Sequence, residues 1–249
     1  MRRLTCCLWG GTKCWKTSFA LGWPGPIDFF DWNLGLEGVI EDLPGGHDHI
    51  KITTYQRTLF GDHDARKAVL DRFRQDYQRA INAAAKRPLD ANGCRGTIVV
   101  DTATELEDLV QSVTLEDIRI YKYNNRKSSD EFQAIARDYG PRNEFMEGVV
   151  TSPLGVPGLN AVFIHKDAAV WAKNPATGQM EDTGRTRLAG WKRTPIETQI
   201  TIEAFRSSPK EDPQGRLYNC RLGKASKSAE GLVLAELSYE FLSGIIGGE

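Results

Sequence analysis

Eight residues near the N-terminus, Gly10-Gly11-Thr12-Lys13-Cys14-Trp15-Lys16-Thr17, constrain the fold more than any other stretch of the chain. They follow the apolar run Leu4 to Trp9, which reads as a strand, and they lead into Lys16 to Leu21, which reads as a short helix stopped by Trp23-Pro24-Gly25-Pro26. A glycine-rich turn between a strand and a helix is the setting in which GxxxxGK[ST] cradles phosphate. Gly10, Lys16 and Thr17 meet that pattern. Successive backbone N–H groups and the start of a helix suit an anion, so Gly10, Gly11, Thr12, Lys13, Cys14, Trp15, Lys16, Thr17 and Ser18 are the candidate nucleotide contacts. Lys16 would neutralise the β- and γ-phosphates, and Thr17 would offer its hydroxyl to Mg²⁺. Trp15 is a departure, because the motif has its second glycine there and a large side chain restricts the tight turn.

A second element fits the first. Ile98-Val99-Val100-Asp101 is an unbroken apolar run ending in an acid, as a strand buried on both faces would read. Its Asp101 would stand at the carboxyl edge of a sheet and hold the hydration shell of Mg²⁺ beside the phosphates. Thr102 is an equally good helix cap, which releases Asp101 from that duty. Around these two elements, short apolar runs alternate with helical periods, the mark of βαβ units and a mostly parallel sheet flanked by helices. Ile27 to Asp31 is a strand, and Asp62 or Asp64 caps a long helix carrying Val69, Phe73, Tyr77, Ala80, Ile81 and Ala84. Helices follow around 103–115 and 130–151, then a strand from Asn160 to Ile164 ending at His165. Ile196 to Ala204 and Leu217 to Leu222 are strand candidates, and Leu232 to Ile246 is an apolar segment of open type. With 249 residues and no long linker, a single domain over 1–249 is expected.

The formal net charge of −1 gives no global field for a polyanion, so any such surface must be a local patch. Two stretches offer one. Arg119, Lys122, Arg126 and Lys127 stand with Tyr121 and Tyr123 and no acid between them. The stretch from Lys166 to Arg193 carries Lys166, Lys173, Arg185, Arg187, Lys192 and Arg193 against Asp167, Glu181 and Asp182, with Trp171, Trp191 and a Gly/Pro/Thr-rich middle suited to a loop or hairpin. Cations can track phosphates while aromatic rings stack on unpaired bases. For a base that activates water, Asp31, Glu37 and Glu105 are candidates, and Asn33 cannot serve. Five cysteines form no paired framework; Cys6, Cys7 and Cys14 read as small buried hydrophobes in a reducing, cytoplasmic setting. His47-Asp48-His49 with His63-Asp64 reads as polar loop rather than a zinc site. No window is apolar enough for a membrane span, and the N-terminal apolar run is too short for a signal peptide.

Taken in order, GGTKCWKTSFALGWPGPIDFFDWNLGLEGV, TIVVDTATELEDLV, YGPRNEFMEGVV and NAVFIHK resemble the phage-encoded RecA-like nucleotide-binding proteins associated with single-strand-annealing recombination. The resemblance covers about residues 4–205. It implies a RecA-like P-loop core that uses ATP with Mg²⁺ and works on single-stranded DNA, in the host cytoplasm if phage-encoded. The implied partners are a single-strand-binding or annealing protein and further copies of the chain, as an oligomer or filament. By the same resemblance, Lys16 and Thr17 are the phosphate and metal residues and Asp101 is the Walker B acid. His165 is the polar sensor aimed at the γ-phosphate, and the two basic stretches take the place of DNA-binding loops. Arg221, Lys224 and Lys227 would reach a neighbour's nucleotide, as arginine fingers do. Glycine at Trp15 and an acid near Asn33 are the family's usual residues, and both departures weigh against rapid turnover. A nucleotide-dependent scaffold or loader without hydrolysis, and a P-loop nucleotide kinase, are the alternatives.

Overall fold

The computed structural model describes residues 3–36, 39–41, 43, 46–56, 62–122, 134–175, 177–206, 218–225, 230–234 and 237–247. Among the described residues, ten strands and six α-helices run in the order β1 (Thr5–Gly10), α1 (Lys16–Leu21), β2 (Ile27–Asp31), β3 (Ile50–Thr54), α2 (His63–Lys86), β4 (Gly96–Asp101), α3 (Ala103–Asp117), α4 (Gly140–Thr151), β5 (Leu159–His165), β6 (Asp167–Lys173), β7 (Met180–Leu188), α5 (Thr194–Glu197), β8 (Ile200–Arg206), β9 (Tyr218–Lys224), β10 (Val233–Leu234) and α6 (Tyr239–Gly247). Eight strands form one sheet in the order β10-β9-β8-β1-β5-β4-β2-β3. The six from β8 to β3 are parallel, and β9 and β10 extend the sheet antiparallel. One strand, β5, therefore separates the P-loop strand β1 from the acid-bearing strand β4. The architecture is the expected α/β one, a mostly parallel sheet flanked by helices.

The central strands are sandwiched, which explains their unbroken apolar sequences. Successive side chains of a strand point to opposite faces. Val99, Val162 and Ile164 join one core with α1 and α6, through Phe19, Leu21, Tyr239 and Leu242. Ile98, Val100, Ala161 and Phe163 join the other with α2, α3 and α4, through Phe73, Leu106, Leu109 and Val150. Among the described residues no helix is long and apolar enough to cross a membrane.

Several elements depart from expectation. β3 is not among the expected strands, although Ile50-Lys51-Ile52-Thr53 alternates apolar and polar residues; it lies at the edge of the sheet with Lys51 and Ile52 exposed. The strand expected from Ile196 begins only at Ile200; Thr194–Glu197 is a helical turn with Pro195 in its first turn, where a missing N–H costs nothing. Asp62 rather than Asp64 caps α2, accepting from Ala65 N at 2.7 Å. Within α2 the buried stripe runs through Leu70, and Val69 is only partly covered. The helix expected over 130–151 is described only from residue 134, as a 3₁₀ turn (Ala136–Tyr139) followed by α4. The open C-terminal segment resolves into β10 and α6.

Candidate nucleotide-binding site

The strand ends converge at one level. Register pairs Trp9 of β1 with His165 of β5, Ile164 of β5 with Asp101 of β4, and Asp101 with Asp31 of β2. Ligands of open α/β sheets bind outside the carboxyl ends of such strands. There a cleft of about 700 Å³, within the range of small-molecule sites, is lined by the P-loop from Thr12 to Ser18 and by Asn33, Asp101, Lys166, Asp167 and Arg206.

The loop's backbone explains two of its residues. Gly10 has φ 148°, and a Cβ there would lie 2.0 Å from the Ala204 carbonyl oxygen of β8, so the close strand approach admits glycine alone. Trp15 has φ 62° and ψ 4°, the left-handed conformation that the motif's second glycine normally provides. A non-glycine residue there costs on the order of 1–2 kcal/mol. Its ring packs 5.4 Å from Phe19 and against the apolar core beyond it, which offsets part of that cost. The turn is thus kept even though its usual residue is absent.

Lys16 Nζ donates to the Gly10 carbonyl at 2.8 Å and also to the Gly11 carbonyl. Burial holds its pKa below the usual lysine value, with Asp101 and Asp167 opposing the shift. Thr17 Oγ1 donates to Asp101 Oδ2 at 2.6 Å. Asp101 is buried, which raises its pKa to about 6; the Thr17 hydrogen bond opposes the shift, and the neighbouring Asp31 adds to it. Thr102 caps α3 by accepting from Glu105 N at 3.3 Å, so Asp101 faces the cleft and not the helix. A hydroxyl and a carboxylate beside a buried ammonium suit a hydrated Mg²⁺ and the phosphates it accompanies.

Around this centre, Asp31 accepts the Asn33 backbone N–H at 3.0 Å, and further backbone N–H groups of the turn through Leu36 also favour its charged form. Burial outweighs them and raises its pKa. Asp31 thus organises the turn that follows β2. Glu105, buried at the start of α3, is ion-paired with Lys166. His165 is fully buried; burial lowers its pKa to about 4, so its ring is neutral, with Nδ1 3.4 Å from Thr104 Oγ1. Gly190 presses on the same edge of that ring, since a Cβ there would sit 2.8 Å from Nδ1 and 3.2 Å from Thr104 Oγ1. Glu37 lies outside the described residues.

No family model matches the chain, and no curated protein matches it. Among solved structures, the crystal structure of the RadB recombinase is similar over 93% of this chain and 86% of that one, at 12% identity and a TM-score of 0.46.

Three charged lining residues were not singled out from the sequence as nucleotide contacts: Lys166, Asp167 and Arg206. Each ends or follows a strand that the apolar pattern does locate, so strand-end polarity was the available signal. Arg206 donates to the Lys13 carbonyl at 3.3 Å, tying β8 to the loop.

The two basic stretches fare differently. β6 and β7 form a separate antiparallel hairpin rooted beside the cleft. Lys173, Arg185 and Arg187 are exposed on it, as are Trp171 and Met180. Three acids, Asp167, Glu181 and Asp182, share its strands, so its surface is mixed and not uniformly basic. Lys192 is exposed, whereas Arg193 is ion-paired with Glu147 and Glu197 and lies over the buried Trp191 ring. In the other stretch, Arg119 is ion-paired with Glu116, and Tyr121 is exposed at the end of a π-helical turn (Ile118–Lys122). The Lys122 side chain, Tyr123, Arg126 and Lys127 lie outside the described residues. Of the residues expected at a subunit contact, Arg221 pairs with Glu203 at 2.6 Å, while the Lys224 side chain and Lys227 fall outside the description.

Proposed function

We propose that this chain is, as a single RecA-like domain, a Mg²⁺-dependent ATPase that acts on single-stranded DNA in recombination or replication, in the host cytoplasm if phage-encoded. The observation that carries the reading is the Thr17–Asp101 hydrogen bond at 2.6 Å, which joins the start of the P-loop helix to the end of the buried acid-bearing strand. In this reading the loop's backbone N–H groups and Lys16 hold the phosphates, and Lys16 leaves the Gly10 and Gly11 carbonyls to do so. Thr17 and Asp101 hold the metal, which supplies positive charge against the phosphate oxygens. Asp101 must be ionised for that role, so the site operates above about pH 6. The β6–β7 hairpin supports a DNA-facing role, with Trp171 to stack on a base and Lys173, Arg185 and Arg187 to meet phosphates. A single-strand-binding or annealing protein and further copies of this chain are the partners that fit this role.

A nucleotide-dependent scaffold without hydrolysis is the second reading. Asp31 favours it, because the carboxylate at the end of β2 is occupied with the backbone of its own turn. ATP hydrolysis measured with and without single-stranded DNA, with Lys16→Ala as control, separates the two. DNA-stimulated turnover lost in the variant supports the ATPase. Tight Mg²⁺-nucleotide binding without turnover supports the scaffold.

A further inference from the structure

Besides Lys13 and Lys16 of the loop, the cleft holds an ammonium group from the end of another strand, which the motif does not account for. Lys166 follows β5, and the register that pairs Trp9 with His165 carries it alongside Gly10, where the P-loop begins. Its backbone is fixed on both sides: Lys166 N donates to Thr104 Oγ1 at 3.0 Å, and its carbonyl accepts from Ala189 N at 2.9 Å. The side chain lines the same cleft as Lys16, Thr17 and Asp101, and its tip is ion-paired with the buried Glu105. Its neighbour Asp167 crosses to the P-loop, with Oδ2 3.7 Å from where a Cβ on Gly11 would stand. The β5–β6 junction therefore lines the cleft with Lys166 close to both Lys16 and Asp101. In a site where Lys16 meets the β- and γ-phosphates and Asp101 the metal, a cation near both stands beside the terminal phosphate.

We propose that Lys166 is the second cation of the phosphate site, contacts the terminal phosphate, and sets the preference for nucleoside triphosphate over diphosphate. Glu105 is a positioning residue that presents the ammonium from the first turn of α3. An apolar pair would fill the same space without the cost of desolvating a buried carboxylate, so the ion pair is expected to serve the site. The proposal rests on the P-loop cleft being a triphosphate site.

The test is equilibrium binding of Mg²⁺ with ADP and with the non-hydrolysable β,γ-imido analogue of ATP, by calorimetry, to the whole chain. Wild type is expected to prefer the triphosphate. Lys166→Met should weaken the triphosphate about tenfold or more and leave ADP within about twofold, as for loss of one charge-assisted hydrogen bond. Lys166→Arg should restore most of the preference, and Glu105→Gln should reduce it by less than Lys166→Met. Because Lys166→Met leaves a buried carboxylate, the double variant with Glu105→Gln guards against misfolding and should show the same loss. Equal weakening of both nucleotides in these variants, no change in either, or a wild type without preference would overturn the proposal. Lys16→Ala should lose both nucleotides, and a wild type that binds neither would overturn the reading of the cleft along with this inference.

Discussion

The P-loop cleft and the β6–β7 hairpin stand next to each other and handle charge in opposite ways. At the floor of the cleft the charged groups are buried or half-buried and engaged: Lys16 with loop carbonyls, Asp101 with Thr17, Lys166 with Glu105, while Lys13 and Arg206 at its rim are exposed. On the hairpin, Lys173, Arg185 and Arg187 are exposed among three acids. Burial makes a charge expensive unless its position is fixed, so the cleft is stiff and chemically specific. Exposure leaves the hairpin's charges screened and cheap to rearrange. The two meet at Thr104, whose hydroxyl donates to the Ala189 carbonyl at 2.8 Å and accepts from Lys166 N, so one side chain at the start of α3 grips both ends of the hairpin.

The sharpest way to break that contrast is to remove charge from the cleft. Asp101→Asn should reduce Mg²⁺-dependent nucleotide binding by about 100-fold, as for loss of a group that holds a metal's surroundings. It should also leave the nucleotide-free protein more stable at pH 8. The sign follows from the raised pKa of about 6: the protonated acid is favoured in the folded state, so its stabilising contribution is complete below the unfolded value and is lost as pH rises through 6. Melting temperatures of variant and wild type should therefore converge towards pH 4, and wild-type Mg²⁺-nucleotide affinity should fall below about pH 6. Titration by calorimetry and thermal melts across that range check both signs.

Removing charge from the hairpin should act elsewhere. Replacing Trp171 with Ala and Lys173, Arg185 and Arg187 with Gln should weaken binding to a single-stranded oligonucleotide about tenfold or more at low salt, since stacking alone contributes about 1–3 kcal/mol per base. The slope of log affinity against log salt should drop by about 0.7 for each cation that met a phosphate. Nucleotide affinity should be unchanged. Loss of both activities together would mean that the hairpin and the cleft are one site.

What the sequence disclosed follows the same divide. Strands buried on both faces are mostly apolar, so β1, β4 and β5, with Asp101 and His165 at the ends of the last two, could be read directly. The Gly10 to Thr17 turn was legible for another reason, its match at Gly10, Lys16 and Thr17 to a spaced motif between a strand and a helix. Edge and surface elements carry no such constraint. β3 is half exposed, and Ile196 belongs to a helical turn started by Pro195 in spite of its β-branched side chain. Lys166 was visible only as one more cation in a mixed stretch; its separate place in the cleft depends on the register of β5 against β1. Likewise the pairing of Arg193 with Glu147 joins α4 to the segment after β7, a contact with no sequence signature.

The smallest expected effect tests how Trp15 is accommodated. Trp15→Gly and Trp15→Ala both remove the ring from Phe19, yet only glycine relieves the left-handed backbone. Trp15→Ala should therefore be less stable than Trp15→Gly by about 1 kcal/mol, in denaturant melts of the nucleotide-free protein. Equal stabilities would mean that the turn relaxes once the indole is gone.

The account depends most on the cleft being a Mg²⁺-triphosphate site, and calorimetric titration of the whole chain with the β,γ-imido analogue of ATP, with and without Mg²⁺, tests this directly. Saturable binding that requires Mg²⁺ and is lost in Lys16→Ala, while that variant keeps the wild-type circular dichroism spectrum, is the predicted result. Absence of binding by the wild type, or binding that Lys16→Ala leaves intact, would contradict it.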